Sequence, residues 1–487
     1  MSRVTVSAAV IMFAAALLSS MRARSSTPYP GIDEQPAQAH FDYDPLSLPA
    51  IVVRVRINDH QSLPFLLDTG LNNPMLIANW AARRMNLAPS GHTITVSPGN
   101  FKMTRAAVDA TIPGTSGSMI ALDSHTAYVG ALPNLEVGDD APVLAGIIGA
   151  PMLEGSTWTF DFSTKTLTRY HGSHTPAPGD QFTTLPMREE YHNYLVHARL
   201  PEGVDADLLI DTGSTSCCIA SKTAARMHSL SVIPGILSSA GGLEVTDEML
   251  FPRVGLGDLT EPQVVMYSAP DPDGACIGLD LLSRFRVTLD FPGRKLTLER
   301  AADYGKRLRL DGSAGIDLGL RPKGFFVDHV DNDLPEMVRS HVGDRVLEID
   351  GRSLSGLDLA SAQSLLSGYA GTDAKLLLLT AGQQRVEVRV LRESEFDGDP
   401  DPVVGLALSQ STGGLLLVSS VQSGSPADQA GIRRGDEVVA VNGVSPDRLT
   451  PPQLGRQLRS RRVSLTLAKG DDPLPRVVVL SAPLAGE

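Results

Sequence analysis

The sequence predicts a mainly β protein in which two related β-barrel halves are followed by two small α/β barrels. The tripeptide Asp-Thr-Gly occurs at residues 68–70 and again at 211–213, each time after an apolar run. A pattern of strand, Gly-Asp turn and strand occurs at 324–351 and again at 414–443. Repeats of this kind indicate duplicated structural units.

The N-terminal segment, residues 1–20, is predicted to be a signal peptide or an N-terminal anchor. Met1-Ser2-Arg3 precedes an apolar stretch from Val4 to Leu18 that is too short to span a bilayer comfortably. No clean cleavage site follows, so an uncleaved membrane anchor stays open as the alternative. We expect an exported protein, periplasmic or secreted, that is anchored to the inner membrane if this segment is retained.

Residues 21–45 are rich in Ser, Pro and Gln and lack a hydrophobic period, which predicts a flexible lead-in. The first half follows at 46–170. Alternating residues at 53–57 predict a half-buried strand, and 64–67 predict a second strand that delivers Asp68 to a tight loop. The later elements of this half are predicted as a short helix at 78–87, an apolar-Gly segment at 147–153 and a strand at 159–162.

A linker at 171–190, which contains Pro176, Pro178 and Gly179, is expected between the halves. The second half, 191–300, repeats the order of the first: a strand at 194–200, a turn, and an apolar run that leads to Asp211. Its later elements are predicted as a short helix at 220–230, an apolar-Gly segment at 276–282 and a strand at 287–291. We therefore expect two homologous all-β units.

Composition excludes several classes of function. The chain has 487 residues, a formal net charge of -13 and no long block of Lys and Arg, so a nucleic-acid partner is not expected. It has no Gly-rich phosphate loop, no His-Glu-x-x-His helix and no Gly-x-Ser-x-Gly elbow. We therefore expect no cofactor and no metal ion.

The three cysteines, Cys217, Cys218 and Cys276, cannot form a disulfide framework and do not have the spacing of a metal site. Buried apolar thiols are the first interpretation. In an oxidising compartment, one bridge from the 217/218 pair to Cys276 is the alternative.

The two Asp-Thr-Gly loops carry the residue types that one kind of hydrolysis needs. Two Asp side chains about 3 Å apart cannot both ionise, so they share a proton and their pKa values separate. One carboxyl can then act as a base toward water while the other donates to a peptide carbonyl. Gly70 and Gly213 allow the backbone to approach closely, and the hydroxyls of Thr69 and Thr212 can brace one loop against the other.

These loops, with the apolar-apolar-Gly segments at 147–149 and 276–278, resemble the tandem form of the retropepsin-like aspartic peptidases. The resemblance covers about 46–300. It implies that Asp68 and Asp211 form the catalytic pair and that hairpin flaps close over a peptide bound as an added strand. It implies supporting roles for Thr69, Gly70, Thr212, Gly213 and Ser214, and substrate binding by Ile148, Gly149, Ile277 and Gly278.

The two loops differ after the glycine. Ser214 fits the family pattern and is expected to hydrogen-bond the outer oxygen of Asp211. Leu71 stands where a small residue is usual, so Asp68 is expected to lack that bond. The pKa of the pair would then rise, or the first half would be structurally retained and catalytically weak. The resemblance also places Cys218 and Cys276 near the substrate-binding wall, where a bridge would narrow the pocket.

The region beyond residue 300 resembles two PDZ domains, at 303–395 and 400–483. The later copy is clearer because it has Ser-Pro-Ala at 425–427, where the earlier copy has Asp-Leu-Pro at 333–335. Such modules take a peptide terminus or an extended strand onto an exposed sheet edge. We expect the peptide-binding loops just before Phe325 and at Gly405 and Leu406. Packing domains with blocked grooves are the alternative.

The sequence thus predicts an exported aspartic endopeptidase that uses a water activated by Asp68 and Asp211, with PDZ domains that recruit or gate polypeptide substrates. Two alternatives stay open. One is a catalytically inactive peptide-binding scaffold, and the other is a peptidase whose active site forms only between two chains. The chain is accordingly expected to be a monomer or a homodimer.

Overall fold

The structure is a computed structural model. Among the residues it describes, no helix is long and apolar enough to cross a membrane. The signal or anchor segment and Gly405 lie outside the described residues. The described residues are 36–45, 48–58, 60–96, 101–132, 143–173, 181–227, 229–239, 242–269, 274–301, 304, 312–330, 334, 336–357, 359–394, 406–410, 415–421, 425–446, 458, 462–469 and 472–481.

The first half is built almost entirely from strands. Two of them, β1 and β2, lie at the end of the segment 21–45 that we expected to be a flexible lead-in. For residues 37–44 that expectation is corrected, because β1 pairs with β13 and β2 with β3, and residues 21–35 lie outside the described residues. The elements are β1 Ala37–His40, β2 Asp42–Asp44, β3 Leu48–Ile57, β4 Leu63–Asp68, β5 Met75–Ala78, α1 Asn79–Arg84, β6 Thr93–Val96, β7 Phe101–Ala107, β8 Ala110–Pro113, β9 Met119–Ala121, β10 Thr126–Gly130, β11 Gly146–Gly149, a 3-10 turn Ala150–Met152, β12 Ser156–Asp161 and β13 Thr166–His171.

The second half repeats this order. Its first strand, β14, occupies half of the predicted linker, which is corrected because this strand pairs with β23 and β15. The elements are β14 Phe182–Glu190, β15 Asn193–Arg199, a 3-10 turn Pro201–Gly203, β16 Asp205–Ile210, β17 Cys217–Ala220, α2 Ser221–Ala224, β18 Ser231–Ser239, β19 Gly242–Leu256, β20 Leu259–Ala269, β21 Cys276–Ile277, α3 Leu279–Leu282, β22 Phe285–Asp290 and β23 Lys295–Arg300.

The halves share one antiparallel sheet with the strand order β1-β13-β12-β22-β23-β14. This order is symmetric about its centre, because β1, β13 and β12 of the first half correspond to β14, β23 and β22 of the second half. At the centre, Thr159 and Thr288 are register partners, and their buried hydroxyl oxygens lie 2.8 Å apart. The shared sheet therefore fixes the two halves about an approximate two-fold axis.

In each half, the strand that ends at the Asp-Thr-Gly loop is paired in parallel with a later strand. Leu67 of β4 pairs with Ile148 of β11, and Ile210 of β16 pairs with Ile277 of β21. All four of these residues are buried in the core. The two acidic loops therefore begin from matched and rigid positions.

The chain continues into a third unit, residues 312–394, and a fourth unit, residues 406–481. In the fourth unit the first helix starts as the sequence suggests, because Ser425 caps it by accepting from the amide of Asp428 at 3.2 Å and Pro426 follows the cap. The elements are β24 Gly312–Ser313, β25 Ile316–Arg321, β26 Gly324–Val330, α4 Glu336–Arg339, β27 Arg345–Ile349, β28 Arg352–Ser353, α5 Leu359–Ser364, β29 Ser367–Gly368, β30 Asp373–Leu379, β31 Arg385–Leu391, β32 Glu393–Ser394, β33 Leu406–Gln410, β34 Leu416–Val421, α6 Pro426–Gln429, β35 Glu437–Val441, β36 Arg462–Lys469 and β37 Asp472–Ser481.

The third and fourth units have the same topology. The strand order is β25-β26-β27-β30-β31 in one and β33-β34-β35-β36-β37 in the other. Each first strand carries an irregularity at the same place, after Asp317 and after Ala407. We expected the peptide-binding loop of the third unit just before Phe325, which lies in β26. The edge strand of this sheet is β25, so the loop beside the edge is the one that precedes β25, and the prediction is corrected. Strand β33 also pairs with β19 of the second half, through Ser409 and Glu244.

Candidate active site

The carboxyl groups of Asp68 and Asp211 are buried at the centre of the two halves, each about 1% exposed. Two backbone amides of its own loop hold each carboxylate. Asp68 Oδ1 accepts from Gly70 at 2.9 Å and from Leu71 at 3.1 Å. Asp211 Oδ1 accepts from Gly213 at 2.9 Å and from Ser214 at 3.0 Å. The two loops therefore orient their carboxylates in the same way.

Leu71 and Ser214 differ in their side chains, but neither side chain makes a hydrogen bond to the carboxylate of its loop among the contacts described. The Ser214 hydroxyl donates to the carbonyl of Ser216 at 2.8 Å, so the expected bond to the outer oxygen of Asp211 is corrected. The Leu71 side chain is buried in an apolar cluster with Val96 and Met103 of the β6–β7 hairpin. The Leu71 side chain thus belongs to the apolar cluster under the β6–β7 hairpin, while its backbone N–H still donates a hydrogen bond to Asp68.

The hydroxyls of Thr69 and Thr212 interlock the two loops, as the resemblance implies. The Thr69 amide donates to Thr212 Oγ1 at 3.0 Å, and the Thr212 amide donates to Thr69 Oγ1 at 3.1 Å. Each hydroxyl in turn donates across the interface, Thr69 to the carbonyl of Ile210 at 2.7 Å and Thr212 to that of Leu67 at 2.9 Å. All four bonds are buried, so the loops cannot shift independently.

Gly70 and Gly213 bring each loop against the carboxylate of the other half. A Cβ atom added at Gly70 would lie 2.6 Å from Asp211 Cγ, and one added at Gly213 would lie 2.2 Å from Asp68 Cγ. Real Cβ atoms do not approach so closely. Only glycine at both positions lets Asp68 and Asp211 face each other.

The resemblance implied substrate contacts for Ile148, Ile277, Gly149 and Gly278, and the structure corrects this. Both isoleucines are 0% exposed and belong to the main hydrophobic core. A Cβ at Gly149 would lie 1.9 Å from the carbonyl oxygen of Asn73, and one at Gly278 would lie 2.4 Å from that of Ser216. These four residues therefore pack in the core and against the backbone of the acidic loops.

Burial shifts the protonation of both carboxyl groups. It raises the pKa of Asp68 well above its usual range, and the neighbouring charge of Asp211 raises it further. Burial also raises the pKa of Asp211, to about 6. The hydrogen bonds that the backbone amides of each loop donate lower the two pKa values, but by less than burial raises them. For Asp68 the rise in pKa comes from burial and from Asp211, and the backbone hydrogen bond from Leu71 lowers the pKa. For Asp211 the rise comes from burial, and the hydrogen bond with Asp68 lowers the pKa.

Behind Ser214, the three cysteines form a compact group without a disulfide. Cys218 and Cys276 are cross-strand partners on β17 and β21 with sulfur atoms 3.2 Å apart, and Cys217 donates to Asp280 Oδ1 at 3.0 Å. In the first half the equivalent cross-strand pair is Leu76 and Ile147. The interpretation as buried thiols is confirmed, and the bridge to Cys276 is absent from the structure.

Across the described ranges, no three His, Cys, Asp or Glu side chains are placed to share a metal ion. The two facing carboxyl groups offer acid–base chemistry, because one of them keeps its proton more strongly than the other.

Comparison with known protein families agrees with this geometry. A family model described as aspartyl protease matches residues 196–281, which include Asp211 and the Cys276–Ile277 strand. A model described as PDZ domain matches residues 417–469. The chain contains an aspartyl protease domain and a PDZ domain. The aspartyl protease match lies within the second half, and the PDZ match lies in the fourth unit.

A further relative matches a smaller part of the chain. Protein lin-10 of Caenorhabditis elegans is 30% identical over 105 residues, which cover 22% of this chain and 10% of that protein. The chain therefore spans about a tenth of the length of this relative. The mainly β fold with retropepsin-like and PDZ architecture that the sequence predicted is confirmed by the family matches and the strands.

Sequence reasoning missed two features of the aspartyl protease region. It did not find that the backbone N–H groups of Leu71 and Ser214 donate equivalent hydrogen bonds to the two carboxylates, because a backbone donor does not depend on which residue is present. It also did not find that Cys218 and Cys276 occupy the positions that Leu76 and Ile147 occupy in the first half. Aligning the two apolar-Gly segments would have revealed the second feature.

The pKa of Asp211 makes a testable prediction about stability. Because its folded value, about 6, lies above the unfolded value of about 3.9, the folded state holds this proton more tightly. Stability from this group is complete below the unfolded pKa and is lost as pH rises through the folded pKa. Raising the pH from about 4 to about 8 should destabilise the wild type relative to Asp211→Asn by about 2 kcal/mol, measured by urea unfolding. A constant difference would contradict the raised pKa.

Burial also predicts the reactivity of the cysteines. All three side chains are at most 2% exposed. A hydrogen bond with Cys218, followed by burial, raises the pKa of Cys276, and burial raises that of Cys217. In the folded protein, all three thiols should react with Ellman's reagent at least about a hundredfold more slowly than a free thiol. Unfolded protein, as the control, should release three equivalents at once, and a rapidly reacting thiol in the native chain would contradict the buried group.

Proposed function

We propose that the chain is an aspartic endopeptidase in which Asp68 and Asp211 form one catalytic dyad within a single chain. The observation that carries this proposal is the reciprocal contact of the acidic loops, in which the glycine of each loop lies against the carboxylate of the other. The aspartyl protease match supports hydrolysis of peptide bonds. The four threonine bonds support a dyad that is already assembled in the free protein.

The two carboxyl groups have different roles in this proposal. Asp68 has the more strongly raised pKa and keeps the shared proton, and Asp211 is the ionised partner. Asp211 removes a proton from a water as its oxygen attacks the peptide carbonyl, while Asp68 donates its proton to the carbonyl oxygen. Asp68 Oδ2 is buried and has no hydrogen-bond partner among the described residues, which supports it as the reacting oxygen. Asp211 then returns its proton to the amide nitrogen and a hydroxyl of the tetrahedral intermediate returns a proton to Asp68. The C–N bond breaks and the two peptide products leave.

For substrate, we propose an extended polypeptide that lies between the β6–β7 and β18–β19 hairpins. We propose that the PDZ domain recruits this polypeptide by its carboxyl terminus. The pairing of β33 with β19 supports recruitment close to the cleft, because β19 belongs to the second hairpin. A peptide strand that displaced β19 from β33 would release that hairpin, so peptide binding would gate it.

A peptide-library assay tests the hydrolytic proposal. Cleavage of random peptides would be followed from acidic to neutral pH, with and without a statine-type inhibitor, and with free or amidated carboxyl termini. We expect inhibitor-sensitive cleavage inside the peptides, with the acidic limb of the pH profile near the pKa of Asp211, about 6. Amidation should raise KM and leave kcat unchanged if the PDZ domain recruits termini. Absence of inhibitor-sensitive cleavage at every pH would favour the peptide-binding scaffold.

For localisation, we propose an exported protein, periplasmic or secreted, on the basis of residues 1–20 alone. The basic start and the short apolar core support a signal, and the imperfect cleavage site leaves retention as an anchor in the inner membrane as the alternative. Cell fractionation followed by N-terminal sequencing tests this. An intact N-terminus in the cytosolic fraction would contradict export.

A further inference from the structure

The outer edge of β25 in the third unit is occupied by a side chain of the same unit. Gln363, on α5, is 3% exposed. Its Nε2 donates to the carbonyl of Ile316 at 2.8 Å, and its Oε1 accepts from the amide of Leu318 at 2.9 Å. One side-chain amide thus satisfies an N–H and a C=O of the same strand, as the backbone of a neighbouring strand would.

The edge of β25 is where the fold would accept an additional strand. Strand β25 is the terminal strand of its sheet, and its other side pairs with β26. The third unit has the strand order of the fourth unit, which carries the PDZ match. PDZ domains bind peptides by strand addition to a free sheet edge. In the third unit, that addition requires the bonds that Gln363 already makes.

The loop that leads into β25 is also satisfied internally. The amide of Ala314 donates to the carbonyl of Leu366 at 3.2 Å, and the amide of Gly315 donates to Ser313 Oγ at 3.3 Å. With Leu318, three amides near the start of this edge therefore donate to groups of the unit itself. A peptide carboxylate would have to replace these acceptors as well.

We propose that the third unit is a closed PDZ-like module in which Gln363 locks a latent site for an extended peptide on β25. In the wild type the edge of β25 is self-satisfied, so the third unit does not accept a peptide strand. Removing the Gln363 amide frees the Ile316 carbonyl and the Leu318 amide for a peptide backbone. This proposal is independent of hydrolysis.

Hydrogen exchange measured by mass spectrometry tests the lock in the full chain. The probe is a pool of random decapeptides with free carboxyl termini, and every protein carries Asp211→Asn so that the probe is not cleaved. In Gln363→Ala, exchange over residues 316–321 should slow by about tenfold when the probe is at about ten times its Kd. In the wild type and in Ser364→Ala, the matched change at the next residue of α5, the probe should leave this segment unchanged.

Gln363→Met provides a second variant that keeps the volume of the side chain and removes the amide with its three hydrogen bonds, to Ile316, Asp317 and Leu318. It should show the same slowing to a smaller degree, and it decides the question if Gln363→Ala does not fold. Equal slowing in the wild type would overturn the lock. A folded variant whose β25 amides do not respond to the probe would overturn the latent site.

Discussion

Replacing either aspartate of the dyad should abolish hydrolysis. Asp68→Asn and Asp211→Asn should each lower kcat/KM by at least about a thousandfold, since in the proposed mechanism each removes one partner of an acid-base pair that acts as a unit. The loop amides donate equally to both carboxylates, so the two losses should be of similar size. The measurement is initial cleavage rate on a peptide selected from the library.

The matched control for these changes is Asp109→Asn. This aspartate has a side chain that is 81% exposed and pairs only with a similarly exposed histidine, His125, among the contacts described. Its replacement should alter activity by less than about twofold. Survival of cleavage in Asp68→Asn with loss in Asp211→Asn would contradict an intramolecular dyad, provided that both variants unfold cooperatively.

Gly213→Ala should also inactivate the protein, although it changes no acidic group. The new Cβ would lie 2.2 Å from Asp68 Cγ, so the two loops must separate or the carboxylate must turn. A displacement of about 1 Å between reacting groups can cost about a hundredfold in rate. We expect kcat to fall by at least about a hundredfold, measured on the same peptide.

Gly382→Ala is the control for this substitution. The nearest atom to a Cβ at Gly382 is Thr380 Oγ1, 3.8 Å away, so an alanine fits without displacement. Its activity should equal that of the wild type. If Gly213→Ala retained full activity, Asp68 would not lie against the second loop in the active protein.

The positions of the two acidic loops could be predicted from sequence because their determinants are local. An apolar strand, an Asp-Thr-Gly turn and a later apolar-Gly segment specify the parallel pairing that holds Asp68 and Asp211. The threonine interlock was expected for the same reason. It needs only two hydroxyls in loops that face each other.

The features that could not be predicted depend on long-range pairing. Strand β1 has no hydrophobic period and forms because β13, more than a hundred residues later, presents a free edge. The role of Leu71 depends on the hairpin that covers it. Gln363 lies in a helix that gives no sign of the strand edge it will meet. Local pattern cannot report a partner that only the folded chain supplies.

Calorimetric titration of the wild-type chain with a statine-type inhibitor tests the single-chain dyad most directly. The molecular mass is measured in the same buffer. A dyad within one chain predicts one inhibitor bound per monomer and no binding to either Asp68→Asn or Asp211→Asn. Mixing the two variants should restore nothing. One inhibitor per two chains, or recovery of binding on mixing, would show that the aspartates meet between chains and would contradict the intramolecular site.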